Sequence, residues 1–142
     1  MREYRTYSVQ ETEQLASEFA KELKRGDVVA FTGGMGAGKT AFVRGLAKGL
    51  GVSGEVSSPT YAIVNEYRGD PTLYHFDMYR VSSVEDLFTT GYFDYLDQGD
   101  SILAVEWSEN ITESLPEETI FVDMVPLSEQ ERKIQIIGGN RF

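Results

Sequence analysis

Apolar positions along the chain change period from one segment to the next, and each change marks an element. Between residues 11 and 25, Leu15, Ala16, Phe19, Ala20 and Leu23 recur at helical spacing. Lys24, Arg25 and Gly26 follow, as at a helix end. VVAFT, residues 28–32, is a short apolar run of strand type. GGMGAGKT comes next. AFVRGLAKGL, residues 41–50, then restores helical spacing through Phe42, Val43, Leu46, Ala47 and Leu50, and Gly51 stops it.

The second half reads mostly as strands. SSPTYAIVNEY turns through Ser57 to Pro59 and runs into a strand. RGDPT separates it from LYHFDMYR, residues 73–80, so the two runs predict a hairpin. SSVEDLFTTGYFDYL predicts short helices, with Ser82 or Ser83 as a cap before Glu85 and Asp86. SILAVEW is apolar almost throughout, as in a strand buried on both faces. TIFVDMV and KIQIIG predict late, antiparallel strands. The fold expected is α/β: one domain over residues 1–142, a parallel core sheet flanked by helices and extended by antiparallel strands.

Composition narrows the classes. A 142-residue chain that is 41% hydrophobic can bury one real core. Cysteine is absent, which excludes disulfides and cysteine metal sites. No apolar run reaches membrane length, and MREYRTYSVQ lacks the apolar core of a signal peptide, so a cytoplasmic protein is expected. The net charge of −10 argues against tight binding of tRNA or other nucleic acid by the chain alone. Between Val81 and Glu131 there are thirteen acids and no lysine or arginine. This stretch is either a solvated surface or a docking face for a basic partner.

The chemistry starts at GGMGAGKT, which fits G-x-x-x-x-G-K-[ST]. Gly33, Gly34, Met35, Gly36, Ala37 and Gly38 form a loop whose backbone N–H groups can face phosphate. The positive end of the next helix adds to it. Lys39 would bridge β- and γ-phosphates and the Thr40 hydroxyl would bind Mg²⁺. Such a loop needs an acid at the end of a neighbouring strand. Glu106, after Ile102, Leu103, Ala104 and Val105, fits well. Asp77, in LYHFD, fits less cleanly because His75 interrupts the apolar run. An ion pair with Arg80 is the plain alternative for Asp77. With a phosphate loop present, Asp77 is expected to face Mg²⁺ or the attacking water. Thr60 lies twenty residues after Thr40 and is either a γ-phosphate sensor or part of a plain Ser-Pro-Thr turn. The sequence has no N-K-x-D guanine-reading segment, which favours ATP over GTP. His75, the sole histidine, reads as a packed, hydrogen-bonded core residue. Trp107 is either core or a cover beside the phosphates.

The segments GGMGAGKT, SSPTYAIVNEY, LYHFDMYR, DLFTTGYFDYL and AVEW, in this order and spacing, resemble the TsaE family of small P-loop ATPases. That resemblance implies ATP and Mg²⁺ as ligands and slow ATP hydrolysis. It also implies a role in threonylcarbamoyladenosine modification of tRNA, with TsaD and TsaB as partners. It maps the phosphate loop onto Gly33 to Thr40, the second metal ligand onto Glu106 and the functional strand aspartate onto Asp77. The adenine end falls around Thr12 and Arg132. Gly34 stands where the family often has aspartate, and Ala41 where it often has a second threonine; Thr40 is retained. Two other readings stay open: a small-molecule kinase, and a nucleotide-dependent binding module without turnover. The lack of lysine and arginine from Val81 to Glu131 counts against a kinase lid.

Overall fold

The computed structural model describes residues 1–33, 38–52, 64–139 and 141–142. Its elements in chain order begin with β1 (Arg2–Thr6), α1 (Val9–Ala20), β2 (Val28–Thr32) and α2 (Lys39–Leu50). Then come β3 (Val64–Tyr67), β4 (Leu73–Asp77), α3 (Val84–Phe88) and α4 (Tyr92–Gln98). β5 (Ile102–Glu106), a 3-10 segment (Ser108–Ser114), β6 (Ile120–Pro126) and β7 (Arg132–Gly138) complete it. These strands form a single seven-stranded sheet in the order β1-β7-β6-β2-β5-β4-β3. The four central strands, β6, β2, β5 and β4, run parallel. Antiparallel strands extend the sheet at both edges. No helix among the described residues is long and apolar enough to cross a membrane.

Strand alternation sorts the side chains into two cores. On one face Val29 and Phe31 of β2, Ile102 and Ala104 of β5, and Ile120, Val122 and Met124 of β6 meet α1 and α2. On the other, Val28, Phe76, Met78, Leu103 and Val105 meet Leu87, Tyr92 and Ile111. A central strand covered on both faces must be apolar throughout, which is why every residue of β5 is buried. The helix pair is drawn together by Gly45 and Gly49. A Cβ at Gly45 would collide with the Glu13 carbonyl oxygen and lie 2.6 Å from Ala16 Cβ. One at Gly49 would lie 2.7 Å from Ala20 Cβ.

Several expectations shift. The first helix ends at Ala20, with Lys21 as C-cap, not near Gly26. Gly26 instead turns the chain at φ 90° toward β2, its N–H donating to Ser101 O at 2.8 Å. Helix spacing ran on through Leu23, but that side chain packs onto the first core from the turn after the helix. The late strands are antiparallel to each other, yet β6 joins the sheet parallel to β2. β1 is invisible to periodicity. Its pattern is mixed, and its strand state comes from pairing with β7, from Arg2↔Ile136 to Thr6↔Arg132. The hairpin of β3 and β4 forms as expected, from Val64↔Phe76 to Tyr67↔Leu73.

Candidate functional site

All four parallel strands end on the same edge of the sheet, where α/β folds bind ligands. Gly33 leaves β2 at that edge with φ 110°, and a Cβ there would strike the Met124 carbonyl oxygen. Only glycine fits a position both left-handed and this close to another backbone. The chain returns at Gly38, which caps α2 at φ 95°. Lys39 opens α2. It is 7% exposed, and among the described residues no carboxylate lies in ion-pairing distance of it. Its Nζ sits 5.4 Å from the centre of the Trp107 ring. A buried ammonium at the positive end of a helix is costly without an anion, so this position suits an anionic group.

Two carboxylates stand at neighbouring strand ends. Asp77 and Glu106 are direct partners in the β4–β5 register. Alternation puts them, with His75, on the side of the sheet that carries α2. Asp77 is half-buried and accepts a hydrogen bond from Tyr79 N at 3.0 Å. No ion pair with Arg80 forms among the described residues, so the plain reading of Asp77 fails. Glu106 is buried, and His75 Nε2 meets its Oε2 at 2.5 Å. His75 is fully buried and hydrogen-bonded, as expected, but its partner is a site carboxylate.

Of the supports, the sequence leaves Trp107 open between core and cover and does not show the rest. Trp107 takes φ 57° and ψ 41°, a left-handed conformation uncommon for a large side chain. That twist directly after Glu106 sets the indole, half-buried, over Lys39 and 4.9 Å from the Tyr79 ring. Ser108 Oγ donates to Phe31 O at 3.0 Å and Asn110 Nδ2 to Met78 O at 2.8 Å, tying the loop after β5 to β2 and β4. Thr32 Oγ1 donates to Asp123 Oδ1 at 2.8 Å, fixing the strand end from which the glycine loop departs. Small polar residues just past strand ends were the available signal.

Beside the head of α2, Thr12, Gly38, Ala41 and Arg132 line one small cavity of about 40 Å³, with Val9, Glu129 and Gln130. Thr12 shares a 2.7 Å hydrogen bond with Thr6, so it offers this cavity a wall more than a free hydroxyl. Arg132 donates to Ser128 O at 2.9 Å and Glu131 O at 3.0 Å, bracing the β6–β7 turn.

Comparison with known proteins bears on this arrangement. The family model described as "Threonylcarbamoyl adenosine biosynthesis protein TsaE" matches residues 6–134. The chain belongs to the TsaE family. The tRNA threonylcarbamoyladenosine biosynthesis protein TsaE of Treponema pallidum (strain Nichols) is 38% identical over 129 residues, 91% of this chain and 95% of that one. The Bacillus subtilis (strain 168) protein of the same name is 39% identical over 142 residues, 98% of this chain and 87% of that one. The crystal structure of Bacillus subtilis YdiB aligns with a TM-score of 0.81 at 34% identity, covering 99% of this chain and 88% of that one.

Of the site positions expected of a TsaE protein, Thr12, Gly33, Gly38, Lys39, Thr40, Ala41, Asp77, Glu106 and Arg132 are described. Gly34, Met35, Gly36, Ala37 and Thr60 lie outside the described residues. For a metal, Thr40, Glu106 and Asp77 offer oxygen donors only, which suits Mg²⁺. That ion takes one or two carboxylates and completes its shell with waters and phosphate oxygens. Among the described residues no cluster of three His, Asp or Glu could hold a metal unaided.

Proposed function

We propose that this protein binds MgATP and hydrolyses it to ADP and phosphate in the cytoplasm, acting on a TsaB–TsaD complex in threonylcarbamoyladenosine modification of tRNA. Family membership and the names of the curated relatives support the pathway. The ATPase reading rests on one observation. Lys39 is buried at the head of α2 without a carboxylate partner among the described residues, on the edge where Asp77 and Glu106 end their strands.

Lys39 and the first N–H groups of α2 hold the β- and γ-phosphate oxygens. Thr40 and Glu106 would hold Mg²⁺, which when bound neutralises charge on the phosphates. Asp77 orients a water for in-line attack on the γ-phosphorus. A bond forms from the water oxygen to phosphorus, the bond to the β,γ-bridging oxygen breaks, and ADP leaves with that electron pair. The water's proton passes to the Asp77 carboxylate. Trp107 shields Lys39 from solvent on one side. Thr12 and Arg132 frame the adenine end. Thr60 senses the γ-phosphate and couples nucleotide state to partner binding.

Thermal unfolding with MgATP, and phosphate release with purified TsaB–TsaD present, test the reading. A ligand at a hundred times its dissociation constant adds about 2.7 kcal/mol to stability. MgATP should raise the unfolding temperature and MgGTP should do less. K39A should remove both the shift and the turnover while unfolding cooperatively. A K39A variant with parent ATP affinity and rate would overturn the site. Phosphate transfer to a small molecule would make the protein a kinase, and binding without release a nucleotide-dependent module.

A further inference from the structure

His75 is buried to 0% exposure in β4, two residues before Asp77. The reaction as written gives it no role. Its only described bond runs along the sheet, from Nε2 to Glu106 Oε2 at 2.5 Å. Its other ring nitrogen, Nδ1, is buried and has no hydrogen-bond partner among the described residues.

We propose that His75 is a positioning residue for Glu106, holding one carboxylate oxygen so that the other alone is presented to a divalent cation. The inference rests on the function proposed above. An ionised carboxylate only accepts hydrogen bonds, so the bond places a proton on Nε2. Glutamate has several rotatable bonds, and fixing a long side chain costs conformational entropy. A buried imidazole on a central strand prepays that cost. Oε2 is occupied by His75, and Oε1 accepts no hydrogen bond among the described residues. The carboxylate is thereby set for single-oxygen coordination. Outer partners of this sort tune metal affinity without touching the metal.

The geometry also says which substitution can replace histidine. A glutamine amide can reach toward the Nε2 position and donate to Glu106. An asparagine amide stops near Nδ1, where there is nothing to bond. Leucine fills the space and donates nothing. A merely structural role for His75 would rank these by packing and would not separate glutamine from asparagine in metal affinity.

The test measures Mn²⁺ binding to the protein–ATP complex by electron paramagnetic resonance in the parent, H75Q, H75N and H75L, with ATP affinity in excess EDTA alongside. The expected result is a roughly 10–100-fold loss of Mn²⁺ affinity in H75N and H75L. H75Q should stay near the parent, and metal-free ATP affinity should be unchanged in all four. In an E106Q background H75L should cost nothing further, because the carboxylate it positions is gone. H75L or H75N with parent Mn²⁺ affinity would overturn the inference while leaving the proposed function standing. A parent protein that binds neither ATP nor Mn²⁺ would overturn both. The unsubstituted protein gives a check that does not depend on any variant folding. Its single imidazole should show a proton on Nε2 by nitrogen NMR, and an Nε2 without one would overturn the proposal.

Discussion

Asp77 and Glu106 share a register position, yet their surroundings separate them. Asp77 is half-buried and holds one backbone N–H, whereas Glu106 is buried and bound to His75. The pair should therefore respond differently to substitution. Asp77→Asn keeps shape and should keep nucleotide affinity, while losing roughly 10²–10⁴ in turnover if the carboxylate takes the water's proton. Glu106→Ala should instead raise the Mg²⁺ concentration needed for binding. ATP titration and phosphate release over a Mg²⁺ series separate the two, and an Asp77→Asn variant with the parent rate would remove Asp77 from the chemistry. Asp86 is a different kind of carboxylate. It accepts from Ser82 Oγ at 2.9 Å and Ser82 N at 3.2 Å, and these bonds hold its carboxyl below the ordinary 3.8. A depressed carboxyl pKa stabilises the fold above the unfolded value, and the contribution is lost as pH falls through the folded one. Carbon NMR should show Asp86 titrating below 3.8, and S82A should move it back up. An unmoved midpoint in S82A would mean that the serine is not the cause.

At the scale of elements, the α1–α2 contact is set by what is missing from α2. Gly45 and Gly49 face the backbone of α1, and Ala16 and Ala20 fill the remaining gap. Glycine costs a helix about 1 kcal/mol relative to alanine, so on propensity alone Gly45→Ala would stabilise. The Glu13 carbonyl and Ala16 Cβ leave no room for the methyl, and forced overpacking costs about 1–3 kcal/mol. Gly45→Ala should lower the unfolding temperature and weaken ATP binding, since α2 carries Lys39 and Thr40 at its head. Denaturant and thermal unfolding measure the first effect and calorimetric ATP titration the second. A more stable Gly45→Ala protein would show that the helices can slide apart without loss. The same element logic explains the short helices. Ser83 Oγ accepts from Asp86 N at 3.1 Å and starts α3, while Gly91 at φ 84° starts α4.

At the scale of the molecule, the acidic run from Val81 to Glu131 spans α3, α4, β5, the 3-10 segment and β6. Its surface exposes Val84 and Phe88 among carboxylates, and Tyr79 lies just before it. Asp86 is committed to capping α3, so reversing its charge would disturb the helix as well as the field. Glu85, exposed and without a bond to another described residue, is the cleaner probe. Glu85→Lys should slow association with TsaB–TsaD and flatten its salt dependence while leaving ATP binding alone, because rim charges act mainly on the on-rate. Surface plasmon resonance at several salt concentrations measures this. An unchanged on-rate would take this turn out of the interface.

Local pattern alone determined much of this protein. The glycine loop between an apolar strand and an amphipathic helix, the fully apolar β5 ending in Glu106, and the β3–β4 hairpin all follow from periods and turn residues within short windows. Propensity and phosphate chemistry act there on neighbours in sequence. The tertiary structure decided what depends on distant partners. β1 is a strand only because β7 offers it an edge, and α1 stops at Ala20 because the chain must turn into β2. Asp77 is legible as a site acid once the glycine loop is read, but only the sheet sets it beside Glu106. His75 is the buried, hydrogen-bonded residue its place in the sequence suggests, but only the parallel pairing of β4 with β5 brings its ring to a carboxylate thirty-one residues away. Trp107 stays open between core and cover in the sequence, because its left-handed backbone and its seat over Lys39 join a residue after β5 to the start of α2. Such contacts are fixed by sheet order and register, which no short window of sequence encodes.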